Sequence, residues 1–227
     1  MSNSTVSYAS IRDRLVTLGR SLTPEQSEMI CACTPEWTIT QIYAHLCGSN
    51  DDILGGRLDG VATDPWTQAQ VDKRANNSLT EILDEWESYA SLIDAVVAQL
   101  GDEMDPRFFI DAWTHEQDIR STLRMAGGTD DPTIEAYAPM MARGLCVSVE
   151  AAGLESLAVI LGDQRVETTA PSHVVLRVPP YEFMRGRLGR RSRAQVARWD
   201  WSIEDPSDYV DMMFVFGYSP IDLHDAL

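Results

Sequence analysis

Apolar residues recur at helical spacing in one stretch after another through the first two thirds of the chain, and this periodicity points the fold towards packed helices. Tyr8 to Leu22 carries Ile11, Leu15, Leu18 and Leu22 on one stripe. Pro24 interrupts it, and Thr34-Pro35-Glu36-Trp37 reads as a turn. Thr38 is placed to cap a second helix bearing Ile39, Ile42, Leu46 and Ile53. Gly55-Gly56 and Asp59-Gly60 weaken its end, and a loop containing Asp64-Pro65-Trp66 follows. Ser78 with Glu81 three residues on is a capping-box pattern, and helical spacing then continues from Leu79 to Leu100. A fourth helix is expected from about Pro106 to Met125, stopped by Gly127-Gly128, and a fifth from Pro132 to about Ala152. Helices of this length joined by mostly short loops predict an up-and-down four-helix bundle in a mainly α chain.

The pattern changes near Gly153. Val159-Ile160-Leu161, Arg165 to Thr169 and His173 to Val178 read as strands, and Gly162-Asp163-Gln164 as a turn. Pro179-Pro180 opens a short helix and Asp205-Pro206 a last one. The expected organisation is a helical bundle over 1–153 and a small α+β domain over 154–227.

Charge narrows the partners. Acidic residues outnumber basic ones 35 to 18, for a net charge of -17, and Lys73 is the single lysine. Such a chain repels phosphate backbones and anionic lipid, so neither nucleic acid nor a membrane is expected as a partner. No run approaches the length of a membrane span, and Met1-Ser2-Asn3-Ser4 has neither the basic nor the apolar segment of a secretory signal. A cytoplasmic chain, monomer or homodimer, is expected. Cys31, Cys33, Cys47 and Cys146 form no C-x-x-C pair and read as reduced thiols in that setting.

The chemistry concentrates in few residues. Of four histidines, His45 falls in the middle of the second helix and His115 in the middle of the fourth. Asp111 and His115 are four apart and share a helical face, with Asp118 three residues further along it. Two donors one turn apart plus a third from a neighbouring helix suit a divalent metal, and imidazole with carboxylate suits zinc. Three protein donors leave a position open, as catalytic sites do. The same spacing also arises as surface decoration or as an N–H-to-carboxylate contact. His173 and His224 have no partner at such spacing and read as structural or exposed. Arg185, Arg187, Arg190, Arg191, Arg193 and Arg198 read either as a solvated face or as holders of a substrate carboxylate. Trp66, Trp86 and Trp113 read as core, with Trp113 also placed to line the pocket wall.

Trp37-Thr38-Ile39-Thr40-Gln41-Ile42-Tyr43-Ala44-His45-Leu46 resembles a block of the mycothiol-dependent maleylpyruvate isomerase family, a branch of the DinB-like bundles. Trp113-Thr114-His115-Glu116-Gln117-Asp118-Ile119-Arg120 resembles that family's second block. Phe183-Met184-Arg185 and Leu188-Gly189-Arg190-Arg191-Ser192-Arg193-Ala194-Gln195-Val196 resemble the sterol-carrier-like domain at the C-terminus of many members.

The resemblance implies His45, Asp111 and His115 as ligands of a divalent metal, with zinc expected, although Asp111 stands where the family usually has Glu. It implies a supporting part for Asp118 and an arginine, Arg190 or Arg191, that binds substrate or thiol from the C-terminal domain; Trp113, by its place between Asp111 and His115, is expected to line the wall of the cofactor pocket. It also implies mycothiol as the small-molecule thiol, activated for addition to an electrophilic substrate in isomerase or S-transferase chemistry. Two other classes stay open at this point: a non-catalytic binding or sensing bundle, and a metal-dependent tailoring enzyme that uses no thiol.

Overall fold

Most of the longer helices begin where a side-chain oxygen accepts from their first N–H groups. In the computed structural model, which describes residues 6–169 and 171–226, Ser7 caps α1 (Tyr8–Ser21). Thr23 and Gln26 form a capping box at the short α2 (Pro24–Ser27). A hairpin follows, β1 (Ile30–Cys31) with β2 (Thr34–Thr38), so the segment expected as a turn is a strand. Thr38 and Gln41 form the capping box of α3 (Ile39–Leu54). The expected loop around Asp64-Pro65-Trp66 is a helix, α4 (Asp64–Lys73). Its sequence has too little apolar periodicity to announce it, although Pro65 sits in the first turn, where its missing N–H has no helical partner to lose.

The long helix expected after Ser78 is broken at Tyr89 into α5 (Leu79–Ser88) and α6 (Ala90–Leu100). Gly101 takes φ 52° and ends α6. Asp105 caps α7 (Pro106–Thr122). In this first unit, Ser7–Met125, α1 packs on α5, α6 and α7, and α3 packs on α4, α5, α6 and α7. Ile11, Leu15, Ile39, Ile42, Ile82, Trp86, Trp113 and Ile119 are buried between them. Each such side chain contributes roughly 1.5–3 kcal/mol on leaving water.

The second unit is built on the chain from Ala126 onward. Here α8 (Pro132–Ala151) packs on the sheet strands β3 (Leu157–Leu161) and β4 (Gln164–Val166) and on α9 (Pro180–Arg187). With β5 (Val174–Val178) and β6 (Asp200–Trp201) the strands order as β4-β3-β5-β6. The β3/β5 pair is parallel and the other two are antiparallel. Short helices α10 (Arg193–Ala197) and α11 (Ser207–Asp211) complete the unit. The chain is thus a helical bundle followed by a small α+β part. The break in packing falls at 125/126, whereas the sequence places it near 153, because α8 lays Ile134, Ala138, Ala142, Leu145, Cys146 and Val149 into the core of the second unit.

Gly189 shows why the Gly-Arg-Arg-Ser segment needs a glycine. Its φ is 84°, and a Cβ there would lie 2.7 Å from the carbonyl oxygen of Gly217. Among the described residues no helix is long and apolar enough to cross a membrane.

Candidate metal centre

Helix geometry decides which α7 side chains meet α3. At 100° per residue, Asp111 and His115 are about 40° apart around the helix, and Asp118 is about 60° from His115. Trp113 is about 160° from His115 and turns away.

The structure brings His45, Asp111 and His115 together. One donor atom from each lies within 4.8 Å of the other two. His45 Nε2 is 3.1 Å from Asp111 Oδ2, and His115 Nε2 is 3.5 Å from Asp111 Oδ1. The ring centroids of the two histidines are 5.3 Å apart at 78°. Both imidazoles are buried, whereas the Asp111 side chain is 39% exposed, so the centre opens on the Asp111 side. The shorter aspartate still reaches both histidines, one with each oxygen.

Burial disfavours the charged form of His45. The Asp111 charge, the hydrogen bonds to Asp111 and Gln70 and the Asp52 charge outweigh that effect and push its pKa up.

Neighbouring groups hold these side chains in place. Asp118 is fully buried, with Oδ2 3.2 Å from His115 Nδ1. The contact lies off the direction of a ring N–H bond, and Nδ1 has no aligned hydrogen-bond partner among the described residues. His45 Nδ1 is 2.7 Å from Gln70 Oε1. The indole of Trp37 lies 5.3 Å from the His45 ring and 6.4 Å from the His115 ring.

Glu116, next to His115 in sequence, points the other way and is fully buried. Arg14 reaches it at 2.7 Å and Arg120 at 2.9 Å. The three charges tie α1 to α7 and hold the helix that carries Asp111 and His115.

The other expected site residues fall differently. Trp113 is fully buried in the bundle core. The tryptophan that faces the imidazoles is Trp37, whose position immediately before the Thr38 hydroxyl cap marks it. Arg191 lies in the second unit, buried. It bonds Glu182 Oε1 at 2.6 Å, Asp225 Oδ2 at 2.7 Å and the Arg190 carbonyl at 2.7 Å. Arg190 is nearly buried and donates to the Leu188 carbonyl at 2.6 Å. Arg185 bonds Asp225 as well, at 3.1 Å. Asp225 is thus clamped between two arginines, which lower its pKa against the opposing effect of burial. Gln70 carries no mark in the sequence, because α4, which bears it, has little apolar periodicity.

A sequence profile for the mycothiol maleylpyruvate isomerase N-terminal domain matches residues 8–126, more than half of the chain. The chain belongs to that family, as the two histidine blocks had suggested. Among solved structures it is similar to a mycothiol-dependent maleylpyruvate isomerase, with 12% identity, a TM-score of 0.48, and coverage of 82% of this chain and 92% of that one. A histidine-to-alanine mutant described in the same words gives 11% identity, a TM-score of 0.47 and the same coverage. No curated protein matches the chain.

Proposed function

We propose that this protein is a metal-dependent thiol enzyme. His45, Asp111 and His115 hold a divalent cation, zinc by the donor set, and a small-molecule thiol is the reacting partner. One observation carries the reading: two buried imidazoles turn Nε2 towards the two oxygens of a single carboxylate, at 3.1 and 3.5 Å. For bonds of ~2.0–2.1 Å, the edge of a tetrahedron around zinc is ~3.3–3.4 Å, and each histidine-to-Asp111 distance is close to that, with one donor atom of all three residues within 4.8 Å of the others.

When bound, the metal supplies the acidity that lets a thiol react as its thiolate at neutral pH. The chain's own residues do the rest. Trp37 covers both rings and keeps water from that side. Asp118 restrains His115. The half-exposed Asp111 side leaves room for thiol and substrate. Family membership favours mycothiol as the thiol. The reaction is thiolate addition to an electrophilic small molecule, ending in cis–trans isomerisation after elimination, or in a thiol conjugate. Arg190 and Arg191 are assigned to the packing of the second unit, where their observed bonds lie.

Elemental analysis and zinc titration test the centre. The wild type should bind one equivalent, and His45→Ala and His115→Ala should each lose it. Stoichiometric metal in both variants would overturn the site. Maleylpyruvate with mycothiol, followed by ultraviolet absorbance, tests the activity. A metal-loaded protein with no thiol-dependent turnover of any electrophile offered would overturn the enzymatic reading.

A further inference from the structure

The hairpin of β1 and β2 carries two thiols that the metal centre does not use. Cys31 ends β1 and pairs with Thr34 of β2, so Ala32 and Cys33 alone make the connection. Cys31 is fully buried, whereas Cys33 is partly exposed and Ala32 lies at the surface. Both cysteines are thiols in the structure.

We propose that Cys31 and Cys33 are a redox site, at which Cys33 reacts with the disulfide of a small-molecule thiol and Cys31 then closes an internal disulfide between the two. The site stands apart from the metal reading, because it uses none of His45, Asp111 and His115.

The backbone permits the bond. Residues two apart are ~6.6 Å from each other even in a fully extended strand, and a turn brings them closer. The Cα atoms of disulfide-bonded cysteines are usually ~4.4–6.8 Å apart, so β1 and β2 need not separate. The side chains already meet, since the Cys33 thiol donates to the sulfur of Cys31.

The surroundings of Cys31 favour its reactive form. As a thiol it donates to the Asp118 carbonyl at 3.6 Å, and as a thiolate it accepts from Thr122 Oγ1 at 3.4 Å. Thr122 is the last residue of α7, and its hydroxyl oxygen accepts from the Ala32 N–H at 3.2 Å. The hydrogen bond from Cys33, helped by the Thr122 and Thr34 hydroxyls, pulls the Cys31 pKa down to about 6 against burial and the Asp118 charge. Burial instead pushes the thiol of Cys47 up to about 12 and that of Cys146 up to about 11. Those two stay protonated at neutral pH and are poor nucleophiles.

Burial also sets the order of events. The sulfur of Cys31 is closed to an external disulfide, so the reaction begins at Cys33. The Cys33 thiolate attacks one sulfur of RSSR, the S–S bond breaks and RS⁻ leaves. The Cys31 thiolate then attacks the Cys33 sulfur and expels the second RS⁻. The two protein thiols give up two protons and two electrons, and RSSR takes them to become two RSH. Excess RSH runs both steps backwards.

Glutathione disulfide, added to the full folded chain, is the probe. After quenching with acid and unfolding, the wild type should have lost two of its four thiols. Peptide mapping should place the new bond between Cys31 and Cys33, and excess glutathione should restore every thiol. Cys31→Ser should stop at a glutathione adduct on Cys33, because no second thiol resolves it. Cys33→Ser should keep all its remaining thiols and take no adduct.

Four surviving thiols in the treated wild type would overturn the inference, as would an adduct on Cys31 in Cys33→Ser. A wild-type adduct on Cys33 that persists without passing to the internal disulfide would do the same. If Cys31→Ser does not fold, the time course of the wild type decides: the adduct should form on Cys33 and then give way to the internal bond, and a first adduct on Cys31 would overturn the order of events.

Discussion

Replacing Gly48 by alanine tests the link between helix packing and metal affinity. The added Cβ would lie 2.6 Å from Gln70 Cγ and 3.1 Å from Arg74 Nη1. Carbon atoms in contact settle at ~3.5–4.0 Å, so Gln70 and the helix behind it must retreat by about 1 Å. The 2.7 Å contact from Gln70 Oε1 to His45 Nδ1 would then open to ~3.7 Å, beyond the ~3.2 Å limit of a good hydrogen bond. Overpacking of this kind costs about 1–3 kcal/mol, and alanine in place of glycine inside a helix returns about 1 kcal/mol. The net loss is about 0–2 kcal/mol, a fall in Tm of roughly 0–8 °C for a chain of this size. Zinc affinity should fall at least about tenfold, because His45 loses its orienting partner. Thermal unfolding of the metal-free protein and zinc titration against a competing chelator measure the two effects separately. Wild-type zinc affinity in a folded Gly48→Ala would refute the reasoning. So would a loss of affinity no larger than that of a variant equally destabilised elsewhere in the bundle.

Asp111→Glu lengthens the ligand by one methylene and should keep or raise zinc affinity, whereas Asp111→Ala should lower it steeply; equal affinity in Asp111→Ala and wild type, by the same titration, would remove Asp111 from the ligand set. Glu116→Gln leaves Arg14 and Arg120 facing a neutral amide. Because Arg14 is about one-third exposed, the loss should be about 2–4 kcal/mol, at the lower side of breaking a buried pair, with zinc stoichiometry intact; denaturant unfolding measures the first and elemental analysis the second. Asp225 has its folded pKa lowered by Arg185 and Arg191, so its contribution to stability is present above the unfolded value of ~3.9 and is lost as pH falls through the folded one. Asp225→Asn should therefore be less stable at neutral pH and show a shallower loss of stability with acid below about pH 4, as followed by circular dichroism.

Where the sequence carried a periodic signal, it told the fold well. The apolar stripes of α1 and α3 and the capping residues Thr38 and Ser78 placed these helices to within a residue or two. The candidate centre was legible for a related reason: Asp111 and His115 are a local pair whose shared face follows from helix geometry alone. That His45 meets them depends on how α3 packs on α7, which no spacing along the chain encodes. The missed features are those set by tertiary contact. α4 has little apolar periodicity and is held by its packing on α3. Tyr89 breaks a run of continuous helical spacing. The Thr34–Thr38 strand contains a proline, a turn signal along the chain, yet it pairs with β1. Arg191 reads in sequence either as part of a solvated face or as a holder of an external carboxylate, because sequence cannot show that Glu182 and Asp225 supply internal ones.

The grouping of α8 with the second unit has a practical side. Anyone dividing this chain for separate production would be led by its composition to cut near residue 153. A fragment ending there would keep Pro132–Ala151 but lose the strands that cover Leu145, Cys146 and Val149, leaving a greasy helix with nothing to lie against and a tendency to clump. Severing the chain just after Met125 spares both halves that fate.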